Sequence, residues 1–276
     1  MANNIDKKTV EGFGEEWSRF SQDKLEVHEH DELFSKYFIN FPFEKFGTNV
    51  VAADIGCGSG RWAKQVAPKV GILYCVDASS EALDVARGNL KGFENVVYLN
   101  QSVNDMTIPE ESLDFAYSLG VLHHIPSTLN GIKASVSKLK KGGYFLVYLY
   151  YYFDNKPIYF RYIWKVSDIF RKFVSKLPAK LKFFICDMIA LLVYLPLGKL
   201  SWILEKIGVN VSNIPLSFYK DTSFYTMRTD SLDRFGTQLE QRFTKEQIAA
   251  MMRSAGLCDI IFNEDAPYWV AIGKKQ

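Results

Sequence analysis

The chain has 276 residues, 48% of them hydrophobic and 23% charged, and 33 Lys and Arg against 31 Asp and Glu leave a formal charge of +2. That length fits one enlarged α/β domain, or one domain with a substantial insertion, and the apolar content fills a sizeable core. A charge so near zero neither favours nor disfavours a polyanionic partner. Four cysteines (57, 75, 186 and 258) without short paired spacing exclude a disulfide framework and fit a reduced, cytoplasmic protein.

The chain opens on a polar stretch, Met1–Asp6, that lacks the apolar core of a secretory signal. Residues 1–47 are then rich in charge and in aromatics such as Phe13, Trp17, Phe20, Phe34 and Phe38, most of which read as packing residues. His28 and His30 lie here, and four histidines in all form no metal-ligand pattern, so no metal is expected.

The first predicted strand, Val50 to Asp54, is too short and too continuously apolar for a surface helix and suits a parallel strand covered on both faces. It breaks into Gly56-Cys57-Gly58-Ser59-Gly60 and restarts as a helix through Trp62, Ala63 and Val66. A glycine bend at a strand's carboxyl end lets a ligand approach the main chain, and ligands of open α/β sheets lie in that crevice. The spacing is G-x-G-x-G; Arg61 stands where the nicotinamide fingerprint has its third glycine. Asp54 before the bend would repel a pyrophosphate and suits a ligand carrying an ammonium group. The next strand, Ile72 to Val76, ends in Asp77, placed to accept from both hydroxyls of a ribose. The two acids flanking the bend fit S-adenosylmethionine (SAM).

Beyond Asp77, Ser79 or Ser80 starts a helix, Val96 to Leu99 forms a third strand, and Ser112 to Leu119 a fourth that leads into Gly120-Val121-Leu122-His123-His124-Ile125. A helix through Ile132, Val136 and Leu139 is expected to end at Gly142-Gly143 and launch a fifth strand from Tyr144 to Tyr150. Right-handed crossovers put these strands in one parallel sheet. Near the end, Thr244 to Gln247 is a capping box, and Asp259–Phe262 with Trp269–Ile272 read as a closing hairpin.

In this ordered set the chain resembles the class I SAM-dependent methyltransferases, from about residue 48 to 150. Asp54, Gly56, Gly58 and Gly60 match their first motif and Asp77 their ribose-binding acid, while residues 112–125 and 139–144 match later landmarks. The resemblance implies a Rossmann-like α/β fold with a seven-stranded, mostly parallel sheet, a helical lid over residues 1–47, a SAM-binding core over 48–150, a helical insertion over 151–235, and a closing segment over 236–276. It also implies SAM contacts from Ala78, Ser102, Val103, Ser118 and Leu119. The sequence departs from the family after the third strand, where Asn100-Gln101-Ser102-Val103 replaces an acid-bearing triplet and Asp105 comes late. Gly14 as a hinge makes Trp17 a candidate for shutting water out above a substrate.

Histidine suits the removal of a proton from an acceptor near neutral pH, so His124, and next His123, are candidate bases; either could instead cap the following helix or order its loop. Tyr148, Tyr150 and Tyr152 alternate and are expected on one face, Tyr150 as a reacting-centre residue and Tyr148 and Tyr152 as substrate contacts or walls. Tyr225, Arg228 and Arg242 belong to a second polar concentration that could bind a polar substrate or pair internally.

The insertion carries eight Lys and Arg against one acid, Asp168, between Lys156 and Lys182, interleaved with aromatics. An amphipathic cap packed on the sheet accounts for this, and so does a membrane surface touched by residues 156–197. The apolar stretch Phe183 to Leu197 is interrupted by Asp187 and expected to end at Pro196, short of a membrane span. No DNA partner is expected. RNA is disfavoured because Ser118-Leu119-Gly120-Val121 replaces the cluster with which base methyltransferases grip a flipped base. The expected function is methyl transfer to O or N of a small polar metabolite. The alternatives are a lipid-linked acceptor at a membrane surface and a catalytically silent SAM-binding module.

Overall fold

The computed structural model describes residues 4–22 and 27–276; of the polar opening stretch, residues 1–3 lie outside the described part. Seven strands form one sheet: β1 (Val51–Ile55), β2 (Ile72–Asp77), β3 (Val96–Asn100), β4 (Leu113–Leu119), β5 (Leu139–Tyr148), β6 (Leu257–Phe262) and β7 (Val270–Lys275). Their spatial order is β3-β2-β1-β4-β5-β7-β6. The first five pair in parallel, and β7 runs antiparallel to both β5 and β6.

The chain grows outward from β1 to β3, then returns to the far side of β1 for β4, so the switch point lies between β1 and β4. Helices diverge on either side there and leave a crevice at the carboxyl ends of the strands. The central strands are mostly apolar, because both faces are covered: Ala52, Ala53, Phe115, Ala116 and Phe145 are fully buried. Register places Asp54 opposite Cys75 on one side and Tyr117 on the other.

Helices α1 (Lys7–Arg19), α2 (Val27–Tyr37), α3 (Ala63–Val66), α4 (Ser80–Asn89) and α5 (Thr128–Ser137) accompany the parallel strands. Ser79 caps α4 by accepting from the Ala82 N–H, and Ala82, Leu83 and Ala86 form its buried stripe. The fifth strand differs from the expectation. It begins at Leu139 and ends at Tyr148, so Gly142 and Gly143 lie inside it. The β4–β5 register slips between Leu113 and Phe115, and Gly142, at φ +78°, accommodates the irregularity.

The chain divides into two compact units. The first holds the whole sheet: residues 4–22, Asp31–Tyr151 and Leu239–Gln276. The second comprises Tyr152–Gln238 with residues 27–30, and contains α6 (Ile158–Val174), α7 (Ala179–Ile189), α8 (Leu195–Lys206) and α9 (Phe224–Gly236). The last helix, α10 (Lys245–Ser254), belongs to the first unit and starts with the expected capping box between Thr244 and Gln247.

In the second unit, α7 and α8 are joined by a π-turn over Ala190–Tyr194, giving one continuous helix from Ala179 to Lys206. Pro196 therefore does not end the apolar stretch. It falls in the first turn after the widened π-turn, where a missing N–H costs little. This helix is long and apolar enough to cross a membrane, yet its polar groups are engaged within the unit: Asp187 takes a two-pronged ion pair from Arg228 at 2.9 and 3.0 Å, and the Cys186 carbonyl accepts from Ser231 Oγ. Ala190, Tyr194, Tyr219 and Met227 form the small core beneath.

Candidate active site

The bend after β1 is fastened to the end of β2 by its own backbone. The N–H groups of Gly56 and Cys57 both donate to the Val76 carbonyl, at 2.7 and 3.0 Å. Gly58 N–H donates to Asp77 Oδ2 and Ser79 N–H to Asp77 Oδ1, each at 2.9 Å. Two positions in the bend admit only glycine. At Gly56 (φ +77°) a Cβ would lie 2.4 Å from Val121, and at Gly58 (φ +53°) one would lie 2.8 Å from the Trp17 indole.

Asp54 stands behind this bend, 1% exposed. Burial pushes its carboxyl up to about 8; Tyr117 and Arg61 offset part of that, and the Asp77 charge adds to it. The Tyr117 hydroxyl stands close enough to Asp54 to favour its charged form but falls short of full hydrogen-bond geometry. Asp77 is also raised above the ordinary carboxylate range by burial, opposed by the N–H donors of Ser79 and Gly58.

A cavity opens at this switch point, with the bend and Asp77 on its floor. One wall is α1: Asp6, whose side chain caps the helix by accepting from the Thr9 N–H, then Phe13 and Trp17. Arg61 lies over the Trp62 ring at 4.3 Å on a second side. Gln101, Ser102 and Val103, just past β3, line a third. Asn4 closes a corner: its side-chain amide donates to Asn104 Oδ1 and the Ser127 carbonyl, and its oxygen accepts from the Ser127 N–H.

The His-His turn closes the far end. His124 lines the cavity with its Nδ1 2.6 Å from the Leu239 carbonyl, and the Phe13 ring meets it edge-on at 5.0 Å. His123 lies behind it, fully buried between His124 (4.0 Å) and Tyr150 (3.9 Å), with neither ring nitrogen hydrogen-bonded. Burial, with His124 and Arg242 nearby, holds His123 well below the ordinary histidine range, so it stays neutral. The segment 239–243 straps the turn down. Gln241 N–H donates to the His123 carbonyl, Gln241 Nε2 to the Ile125 carbonyl, and Phe243 N–H to the Tyr150 carbonyl.

Among the sequence-derived candidates, Gly56, Asp77, Ala78, Ser102, Val103, Leu119, Trp17 and His124 line one cavity. Gly58 and Gly60 shape the bend, and Asp54 is buried behind it; none of the three lines that space. Ser118 instead ties β4 to β1, its hydroxyl donating to the Ile55 carbonyl at 2.8 Å. Tyr148 and Tyr150 remain near one another, ring centres 6.0 Å apart, but neither lines the cavity. The expected alternation stops with the strand at Tyr148, and Tyr152 lies in the second unit against Trp164. Arg242 is locked in a buried ion pair with Glu240 at 2.7 Å, both side chains at most 3% exposed. Tyr225 and Arg228 lie on α9 of the second unit, Arg228 committed to Asp187.

Sequence reasoning missed Asn4, Thr9, Ser59, Arg61 and the 239–243 strap. Arg61 adjoins the glycine bend and was within reach; Asn4 and the strap meet partners more than 100 residues away and leave no local signal.

The residues present fit a cationic nucleoside such as SAM. Asp77 keeps lone pairs beyond its backbone donors, and Ser59 Oγ and Thr9 Oγ1, of two residues that line the cavity, are buried without hydrogen-bond partners; Asp54 Oδ2, also without one, lies behind the bend. Residues 53–147 match the family model described as "Methyltransferase domain". A ubiquinone biosynthesis O-methyltransferase of Vibrio campbellii is 26% identical over 148 residues, covering 52% of this chain and 62% of that protein. One of the same name from Coxiella burnetii is 26% identical over 144 residues, covering 51% and 60%. The chain thus spans less than two thirds of the curated relatives it matches. Among solved structures, a possible exported protein from Bordetella parapertussis shares the fold, with a TM-score of 0.51 at 16% identity over 90% of this chain and 67% of that one.

Proposed function

We propose that the protein is a SAM-dependent methyltransferase that transfers a methyl group to an oxygen of a small acceptor, with His124 as the base; the match of residues 53–147 to a methyltransferase-domain model supports the cofactor and the class of reaction. The single observation that carries this reading is the meeting, in one cavity, of the carboxylate at the end of β2 and the imidazole at the end of β4.

When bound, SAM supplies an electrophilic methyl group on a sulfonium, and the protein has to align, dehydrate and deprotonate. Asp77 and the Gly56–Gly60 bend hold the nucleoside end; Gln101, Ser102 and Val103 flank the base. Asp54, ionised once a cation approaches, balances the ammonium group. Phe13 and Trp17 on α1 exclude water. Alignment of this kind lowers a barrier by roughly 7–11 kcal/mol. A carbonyl only accepts, so with one proton on the imidazole that proton sits on Nδ1, facing Leu239; Nε2, enclosed in this structure, is the atom to which the acceptor's proton would pass.

The names of the curated relatives favour oxygen over nitrogen as the methylated atom. They also favour a second reading of the acceptor, a lipid-linked phenol rather than a free polar metabolite, since ubiquinone precursors carry a lipid tail. The test is production of S-adenosylhomocysteine from SAM with two acceptor panels, water-soluble hydroxy compounds and prenylated phenols in detergent. Turnover with either panel that is lost in His124→Ala supports the proposal. Tight SAM binding with no turnover on both panels returns the protein to the silent-module reading.

A further inference from the structure

On α6 the apolar side chains face solvent instead of a core. Ile158, Tyr162, Val166, Ile169 and Phe173 are each 62–71% exposed. At 100° per residue these five fall within an arc of about 80°, so they form one stripe along the helix. Tyr159, Ile163 and Phe170, also exposed, widen it on one side. The opposite face is the buried one, through Phe160, Arg171 and Val174. Of the aromatics in this segment, Phe160 is buried, Trp164 packs on Tyr152 and Phe170 meets the Phe235 ring, while Tyr162 and Phe173 are turned to solvent.

The other edge of the stripe is basic. Lys165 and Lys172 lie along it, and Lys176 follows past the helix end; all three are exposed. The only acid between Lys156 and Lys182, Asp168, is already held by Arg171 and Lys172. An exposed apolar stripe of this size invites a partner. A second copy of the chain packed stripe to stripe brings no acid to the lysine edge, since Asp168 of each copy is already paired. An anionic lipid surface satisfies both features, burying the stripe at the level of the acyl chains and neutralising the lysines at the phosphates.

We infer that α6 is a membrane-docking helix that lies in the plane of an anionic bilayer, with Ile158, Tyr162, Val166, Ile169 and Phe173 inserted. The inference deepens the lipid-linked reading of the acceptor but stands on the second unit alone, so it holds whichever atom is methylated.

Full-length protein is sedimented with phosphatidylcholine vesicles and with the same vesicles containing phosphatidylglycerol, at low and high salt. Binding to the anionic vesicles is expected to exceed binding to neutral ones by about tenfold at low salt and to fall as salt rises. The double variant Val166→Asp/Ile169→Asp is expected to lose about tenfold or more on anionic vesicles. Lys165→Glu/Lys172→Glu is expected to lose the preference for anionic lipid. Both pairs are exposed, and helical circular dichroism with thermal unfolding reports whether each variant remains folded. Absence of vesicle binding at low salt overturns the inference, as does binding that neither double variant changes. So does light scattering that finds a dimer which Val166→Asp/Ile169→Asp dissolves.

Discussion

His124 Nδ1 lies 2.6 Å from the carbonyl oxygen of Leu239, a residue 115 positions later in the chain. That contact fixes the tautomer of the imidazole. It also ties the end of β4 to the segment that re-enters the sheet unit after the second unit. His123 supports the same ring from behind and, being neutral and enclosed, is a packing group. Both rings are buried, and they differ in position: His124 lines the cavity and His123 does not.

Replacing His124 with Asn is therefore expected to spare SAM binding and lower turnover. General-base catalysis contributes typically 10²–10⁴-fold, so kcat should fall by about that range, while the SAM dissociation constant moves by less than about threefold. Calorimetry and a S-adenosylhomocysteine assay measure the two quantities. A loss of SAM binding equal to the loss in rate would mean that His124 holds the loop and not the proton.

The buried pair Glu240–Arg242 supports this strap. Arg242 also reaches the Tyr151 carbonyl at 3.3 Å and lies 5.0 Å from the centre of the Tyr150 ring. Removing one partner takes this counter-charge away from a buried group, a loss of about 3–5 kcal/mol. Glu240→Ala is expected to lower Tm by several degrees, and the double variant Glu240→Ala/Arg242→Met to recover most of it, in thermal unfolding followed by circular dichroism.

What could be read beforehand was local. Asp54, the Gly56–Gly60 bend and Asp77 lie within 24 residues, and strand burial, turn chemistry and charge all point to one ligand class there. The parallel order of the strands follows from their alternation with helices. The fifth strand was misplaced because Gly142-Gly143, read as a helix stop, is a bulge within the strand that depends on its pairing with β4. Pro196 misled for a related reason: a π-turn just upstream makes room for it, and no local rule announces one. The surroundings of His124 and the clasp at Asn4 depend on contacts more than 100 residues apart, which periodicity and spacing do not encode.

Gly58 makes a direct test of the bend. With φ at +53° and the Trp17 indole where a Cβ would go, Gly58→Ala has to displace either the loop or α1. SAM affinity is expected to fall by about tenfold or more, since strain at such positions costs of order 1–3 kcal/mol. Trp17→Ala in the same background removes the collision but not the dihedral strain, and should restore only part of the loss.

Asp54 gives the pH dependence. Its carboxyl ordinarily titrates at 3.8 and is pushed up to about 8 in the folded chain. Between those values the folded state binds a proton that the unfolded state has released, so this residue makes stability fall as pH rises through the window. Asp54→Asn lacks that slope, and its stability relative to wild type should grow from pH 5 to pH 8, by an amount on the order of a few kcal/mol. The same linkage predicts how SAM binds. A cation beside Asp54 favours the carboxylate, so association at pH 7 should release close to one proton and tighten toward pH 8. Calorimetry in two buffers of different ionisation enthalpy reads the proton count directly. Equal enthalpies in both buffers would mean that Asp54 keeps its proton and plays no part in balancing the ammonium group.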